Sequence, residues 1–178
     1  MKVELKSYER STHDLGYLWR SSMSAGTLVP FMSEVALPGD TFDIELDAST
    51  LTKPTIGPLF GSWKLQLDVF QVPLRFYNQF MQNNTTGVGM KMNTLKLPQI
   101  RLEIPENEEK WININPSSLL SYFNIKGTGV ASQDGGTYRD FNASAILGYW
   151  DIYKTYYANL QEEKGYVIFN NRVKPTGA

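Results

Sequence analysis

The residues best suited to acid–base or nucleophilic chemistry are grouped around the only histidine, His13. Ser11, Thr12, His13 and Asp14 bring together hydroxyls, an imidazole and a carboxylate, the groups of a hydrolase triad. Such a triad needs side chains that converge from separate elements, whereas neighbours on an extended chain point to opposite faces. We therefore interpret the stretch as a turn or strand entry whose polar side chains bond nearby backbone.

A second candidate is a set of three carboxylates, Asp43, Glu45 and Asp47, that alternate with apolar residues. On a strand they project from one face about 7 Å apart, a spacing that suits a glycosidase carboxylate pair or a hard-cation site. Carboxylates on the solvent face of an amphipathic strand are far commoner, and we favour that interpretation. The sequence has no cysteine, which excludes thiolate catalysis, disulfides and cysteine-ligated metal centres, and no motif indicates a cofactor.

The composition indicates one globular domain, residues 1–178, without a general attraction to charged partners. Of its 178 residues 42% are hydrophobic and 13% aromatic, which is enough for a core. The 17 Lys and Arg residues and 18 Asp and Glu residues give a formal net charge of -1, so any nucleic-acid contact must be local. No apolar run is long enough for an export signal or a membrane span, and we expect a soluble protein made in the cytoplasm, with no membrane partner.

Turn and periodicity signals predict mainly β structure before residue 83. Pro38 and Gly39 predict a turn, which leads directly into an alternating strand over residues 41–47. A second strand is predicted over residues 63–72, followed by a short helix with an aromatic stripe over residues 74–82. These are elements of a sandwich whose apolar face lies inward.

The second half of the chain predicts a surface insertion and helices. Residues 83–116 are polar and rich in Gly and Asn, which is typical of a surface insertion, and Ser117 or Ser118 is placed to cap a short helix. The longest predicted helix covers residues 142–160, and its apolar side chains occupy more than half its circumference. A single core buries only a stripe, so we expect this helix to be contacted on two sides.

Aromatic side chains along that helix are candidates for a subunit interface. They are Tyr149, Trp150, Tyr153, Tyr156 and Tyr157. Tyr and Trp are enriched at protein–protein hot spots because each combines a large apolar ring with a polar group. A helix buried in its own core explains the pattern equally well, and both interpretations remain open at this point.

Three stretches carry a resemblance to a known family: residues 24–42, residues 58–76 and, more weakly, residues 141–159. The first contains the string Pro-Gly-Asp-Thr-Phe after Glu-Val-Ala-Leu, and the second ends in Phe-x-Val-Pro-x-Arg before a short helix. Together they resemble the major capsid protein of the Microviridae, the small icosahedral single-stranded DNA phages, in particular its gokushovirus-like and gut-phage branches. The residues that match the family motifs are Pro38, Gly39, Asp40, Thr41, Phe42, Val72, Pro73 and Arg75.

The resemblance implies a structural protein and not an enzyme. It implies a viral jelly-roll β-sandwich with helical insertions, which we expect to be incomplete in this chain, as in the N-terminal part of a capsid protein. It also implies self-assembly into a T=1 icosahedral shell in the cytoplasm of a bacterial host, and contact with the rest of the capsid protein or with other virion proteins. Packaged single-stranded DNA is implied to make local contacts, with Lys2, Lys6, Arg10 and Arg20 as candidate cations.

Two other functions are compatible with parts of the sequence. A carbohydrate-binding β-sandwich would stack sugars on exposed rings such as Trp63 and Tyr149 and use Asp43, Glu45 or Asp47 for hydroxyls or a cation. A glycoside hydrolase would use two of those three carboxylates. The capsid protein is our leading hypothesis, and the carbohydrate-binding module is the alternative.

Overall fold

The computed structural model describes residues 11–58, 60–82, 88–89, 91, 95–103, 114–127, 138–159 and 161. In chain order the elements are a 3₁₀ turn (Leu74–Tyr77), α1 (Gln79–Gln82), β1 (Gln99–Glu103), α2 (Leu119–Tyr122), β2 (Tyr138–Asn142), α3 (Ser144–Ile152) and a π-helical turn (Tyr153–Tyr157). Most of the predicted surface insertion, 83–116, and the end of the predicted long helix at residue 160 lie outside the described residues.

The longest helical stretch lies within the predicted range 142–160. The Asn142 side chain accepts a hydrogen bond from the Ser144 N–H at 2.9 Å, which satisfies one of the donors that the first turn of α3 leaves unpaired. After Ile152 the helix widens into the π-helical turn, where the Ala158 N–H donates to the Tyr153 carbonyl at 2.8 Å. The aromatic side chains of interest therefore lie on one continuous helical stretch.

The predicted short helix over residues 74–82 is present in two pieces that are separated at Asn78. Asn78 has an extended backbone (φ -134, ψ 110), so the 3₁₀ turn ends there and α1 begins at the next residue. Its side-chain Oδ1 accepts from the Phe80 N–H at 3.0 Å and so takes the place of a helical carbonyl. The short helix predicted after Ser118 is confirmed as α2, because the Ser118 hydroxyl caps it by accepting from the Ser121 N–H at 3.3 Å.

Within the described residues, the sheet consists of β1 and β2, which pair antiparallel with Gln99 opposite Asn142 and Glu103 opposite Tyr138. Arg101 and Asp140 face each other across the two strands in a bidentate ion pair of 2.8 and 3.0 Å. The Ala143 N–H donates to the Pro98 carbonyl at 2.9 Å and continues the pairing to the start of α3. This antiparallel pair fixes where the long helix leaves the sheet.

The predicted strands at residues 41–47 and 63–72 are not hydrogen-bonded into a ladder in the described part of the chain. The turn before them is present: Gly39 has φ 87, which a type II turn requires, and the Asp40 N–H donates to the Leu37 carbonyl at 3.1 Å. The apolar side chains of the first segment, such as Phe42 and Ile44, are exposed. The jelly-roll sandwich stays a prediction, because residues 11–72 supply the alternating pattern without the strand pairing.

The described part of the molecule has a small core beneath α3. Its buried hydrophobic residues are Ile125, Ala143 and Ile146, each 8 to 9% exposed. Val72 approaches α3 at Gly148, where an added Cβ atom would lie 3.6 Å from a Val72 methyl group. Among the described residues, no helix has both the length and the apolar character to span a membrane.

Candidate functional site: an aromatic surface on the long helix

Five aromatic residues line α3 and the π-helical turn and form what we call the aromatic belt: Tyr149, Trp150, Tyr153, Tyr156 and Tyr157. Consecutive rings meet edge to face, with centroids 5.8 Å apart for Tyr149 and Trp150 and 6.2 Å apart for Trp150 and Tyr153. Edge-to-face pairs are the favoured geometry for aromatic rings. The first three rings of the belt are therefore ordered by contacts with one another.

The first half of the belt faces the chain's own N-terminal segment, residues 17–31. The Tyr149 hydroxyl donates to the Leu28 carbonyl at 2.9 Å, and the Tyr149 ring packs edge-on to Phe123 at 6.3 Å. Partial burial raises the pKa of the Tyr149 hydroxyl, so it remains a donor across the physiological range. Tyr149, Trp150 and Tyr153 are all half-buried. The sequence left open whether these side chains belong to the core of the chain or to an interface between subunits. In the structure, these three residues make contacts within the chain.

The same N-terminal segment is held at a second point by α2. The Tyr122 hydroxyl donates to the Ser22 carbonyl at 2.8 Å. Trp19 lies between two rings, 5.8 Å from Phe31 and 6.4 Å from Tyr122. Two tyrosine hydroxyls on different helices thus fasten one extended segment by its backbone carbonyls, and this needs no particular side chain on the segment.

Two open grooves lie between this segment and the residues beneath it. One, of about 460 Å³, lies between Phe31 and Met32 on one side and Phe123 and Ile146 on the other. The second, of about 480 Å³, lies under Met23 to Val29 and over Tyr149. The segment is therefore fastened at points and is not packed along its length.

The second half of the belt is more open to solvent. Tyr156 is 67% exposed, and its ring packs on Phe70 at 5.1 Å. The Tyr157 hydroxyl donates to Asp68 at 2.5 Å, and the Gln66 amide donates to the same carboxylate at 2.9 Å. These two hydrogen bonds, that of Gln66 first, lower the pKa of Asp68, and the bond to Asp68 raises the pKa of Tyr157 to about 12. This end of the belt presents an open aromatic surface at neutral pH.

The residues of the family motifs have local structural roles. Asp40 closes the Pro38–Gly39 turn, because its carboxylate accepts from the Leu37 N–H at 2.8 Å, and Thr41 and Phe42 follow as exposed residues. The residues of the second motif also make local contacts. Val72 contacts Gly148, the Pro73 carbonyl accepts from the Phe76 N–H to start the 3₁₀ turn, and the Arg75 guanidinium lies 5.7 Å from the Phe76 ring centroid.

The candidate catalytic groups do not assemble into a site in the described residues. His13 pairs with Ser11 at 3.0 Å, but Asp14 turns away and accepts from the Gly16 N–H at 2.8 Å. No group of three His, Asp or Glu side chains in the described ranges, which include residues 43–47, is arranged to hold a metal ion. Sequence reasoning did not find Tyr122 or Asn78, since nothing local in the sequence marks their distant partners.

Comparison with known proteins indicates that the chain is a structural protein and not one of the other classes considered. A family model described as capsid protein (F protein) matches residues 2–170. That match covers nearly the whole chain, so the protein belongs to this family, the major capsid proteins of the Microviridae. It is a structural capsid protein of a small phage, as the motif residues predicted. No curated protein and no solved structure matches the chain.

Membership of this family establishes the general function of the protein. A capsid protein assembles with copies of itself into a shell and resides in the virion. The family supports this function and not the carbohydrate-binding alternative. Exposed apolar side chains such as Leu51, Ile56 and Phe60 suit a subunit whose surface is covered on assembly.

Proposed function

We propose that this chain forms the wall of a closed T=1 icosahedral shell around a single-stranded DNA genome, with a jelly-roll sandwich as its framework. The observation that carries the proposal is the family match over residues 2–170. We further propose that the shell assembles in the cytoplasm of the bacterial host and that the protein has no catalytic activity. The match to a family of structural capsid proteins supports the last point.

The open half of the aromatic belt is the surface that we propose for contact between subunits. Tyr156 is the most exposed ring of the belt, and Phe70 holds it in place from below. A rigid aromatic side chain that loses solvent on binding is the usual form of an interface hot spot. Packing between rings in one subunit leaves the outer face of Tyr156 available to a second copy.

Assembly of the purified full chain tests this function directly. We expect sedimentation and electron microscopy to show closed shells of uniform diameter that protect single-stranded DNA from nuclease. Tyr156→Ser should raise the concentration needed for assembly at least tenfold, because truncating a hot spot costs about 2 kcal/mol or more. Thr155→Ala, an exposed change on the same π-helical turn, is the matched control and should assemble normally.

Two results would contradict the proposal. Wild-type chains that remain monomeric at every concentration would exclude the shell. Shells that form equally well from Tyr156→Ser and Thr155→Ala subunits would place the subunit contact elsewhere, and the belt would then be an internal feature only.

A further inference from the structure

A segment that we call the clasp, residues 66–72, lies against the end of the long helical stretch. The Asp68 carboxylate accepts a hydrogen bond from the Tyr157 hydroxyl at 2.5 Å. The Phe70 ring packs against Tyr156, with the centroids 5.1 Å apart, and meets Tyr157 edge to face at 6.2 Å. Two side chains of the clasp therefore contact both tyrosines of the open half of the belt.

The other end of the clasp is attached to α3. Val72 lies next to the buried Gly148, where its methyl groups would be 3.6 and 3.7 Å from an added Cβ atom. Just after the clasp, the Tyr77 hydroxyl donates to the Asp151 carboxylate at 2.5 Å. Val72 and Tyr77 are half-buried, whereas Asp68 is exposed. The clasp is thus anchored firmly at its C-terminal end, and its N-terminal end is the part that opens most easily.

The π-helical turn that the clasp contacts is the end of the helical stretch. A hydrogen bond from the Ala158 N–H to the Tyr153 carbonyl at 2.8 Å closes the turn, and Ala158 then has an extended backbone (φ -69, ψ 138). Helix ends fray, and π-helical turns are rare and frequently lie at functional sites. Tyr156 and Tyr157 directly precede this end, so the helix by itself does not fix the orientation of their rings.

We propose that Asp68 and Phe70 are positioning residues for the subunit contact at Tyr156, and that a subunit assembles only when the clasp is docked on the π-helical turn. This inference rests on the proposed function, in which Tyr156 meets a second copy. Phe70 packs on one side of the Tyr156 ring, which remains 67% exposed. A ring that is already held in its bound orientation loses less conformational freedom on binding, and such preorganisation increases affinity.

Asp68 acts through Tyr157. Its carboxylate accepts from the Tyr157 hydroxyl and also from the Gln66 amide at 2.9 Å, so one acceptor ties the clasp to the turn. Hydrogen bonds that are open to solvent break locally at a small cost in free energy. Docking of the clasp therefore couples the first half of the chain to the helix that carries the subunit contact. A subunit whose first half is not in place does not present Tyr156 in its binding orientation.

A double-mutant cycle on shell assembly, followed by sedimentation of the full chain, tests Phe70. Phe70→Leu keeps an apolar side chain but removes the ring, and it should raise the concentration needed for assembly by about threefold or more. In the Tyr156→Ser background the same change should have no further effect, because Phe70 acts through Tyr156. Phe60→Leu, at an exposed ring outside the clasp, is the control: any effect of its own should add fully to that of Tyr156→Ser.

Hydrogen exchange in the unassembled chain tests Asp68. Asp68→Ala should speed exchange of the Ala158 amide by about fivefold or more, since the bond from Tyr157 is lost. Asp68→Asn keeps an acceptor oxygen and should restore most of the protection, and the concentration needed for assembly should follow the same order. The Leu147 amide, which donates to the Ala143 carbonyl at 3.0 Å at the start of α3, is the internal control and should exchange at the wild-type rate.

Several results would overturn the inference. Additive effects of Phe70→Leu and Tyr156→Ser would show that Phe70 does not act through Tyr156. Unchanged exchange of the Ala158 amide in Asp68→Ala would show that the clasp does not hold the turn. If Tyr156→Ser impairs assembly but Phe70→Leu and Asp68→Ala do not, only this inference fails. If the wild type forms no shells, the proposed function fails, and this inference fails with it.

Discussion

At the scale of single residues, four tyrosine hydroxyls make hydrogen bonds that join distant segments in the described part of the chain. Tyr77 and Tyr157 each donate to a carboxylate at 2.5 Å, to Asp151 and to Asp68 respectively. Hydrogen bonds to a charged acceptor are shorter and stronger than neutral ones. Burial and the bond to Asp151 raise the pKa of Tyr77 well above its usual value. Both pairs join segments that are far apart in the chain.

The Tyr157–Asp68 pair predicts how this contact depends on pH. The pKa of Tyr157 is raised from 10.0 to about 12, so the contact contributes fully below pH 10 and is lost as pH rises through about 12. The pKa of Asp68 is lowered from 3.8, so the contact is also present above that value and is lost as pH falls through the lowered pKa. Tyrosinate absorbance during an alkaline titration measures the upper limit.

Two variants make this titration specific. Tyr157→Phe should remove one transition near pH 12, and Asp68→Asn should move the Tyr157 transition to lower pH, because the acceptor is no longer charged. If Asp68→Asn leaves the alkaline titration unchanged, the carboxylate is not what holds the Tyr157 proton.

At the scale of secondary-structure elements, α3 has a glycine at the point where Val72 packs against it. Gly148 is buried in the middle of the helix, where glycine costs about 1 kcal/mol relative to alanine. Val72 lies over this position, and the nearest Val72 atoms would be 3.6, 3.7 and 3.8 Å from an added Cβ. Those are ordinary van der Waals distances, so a single methyl group fits and a larger side chain does not.

Gly148→Ala should therefore stabilise the protein by about 0.5–1 kcal/mol, because it improves helix propensity without displacing Val72. Gly148→Leu should destabilise it by about 1–3 kcal/mol through overpacking against the same residue. The midpoint of denaturant unfolding measures both. A destabilising Gly148→Ala would mean that Val72 sits closer to α3 than the structure places it.

At the scale of the whole molecule, the N-terminal segment is attached to the helices at a few points, beside two open grooves. The Tyr122 and Tyr149 hydroxyls hold the carbonyls of Ser22 and Leu28. Each such hydrogen bond contributes about 1 kcal/mol. A segment fastened in this way opens locally at a small cost in free energy.

Removal of both hydroxyls should open this segment. Tyr122→Phe combined with Tyr149→Phe is expected to increase the rate of tryptic cleavage after the exposed Arg20 by about tenfold or more, since about 2 kcal/mol of attachment is lost. Tyr156→Phe, on the same helical stretch but with an exposed ring, is the control and should be cleaved at the wild-type rate. Equal rates in all three proteins would show that packing, and not the two hydroxyls, holds the segment.

Local features of the fold were predictable because they depend on neighbours in the chain. The turn at Pro38 and Gly39, the cap at Ser118 and the position of α3 all follow from residues within a few positions of each other. The break at Asn78 was not predicted, because it depends on a bond to Lys96, which is in a different segment. Periodicity alone predicted one continuous helix there.

The candidate site was predicted only in part. The aromatic spacing on residues 142–160 marked the belt, but it left core and interface equally open. The Tyr149 hydroxyl donates to the Leu28 carbonyl, 121 residues away in the sequence, and the Tyr122 hydroxyl donates to the Ser22 carbonyl, 100 residues away. No local pattern encodes such partners, because contacts at that separation depend on how the whole chain is arranged.

The sequence by itself determined the family, through short motifs such as Pro-Gly-Asp-Thr-Phe, and the places where turns and helices begin. Turns and caps depend on dihedral preferences and on hydrogen bonds between near neighbours, which residue types specify directly. Only the tertiary structure decided which half of the aromatic belt is covered and which side chains surround Asn78. Burial is a property of all the segments that meet at one point, and those segments come from distant parts of the chain.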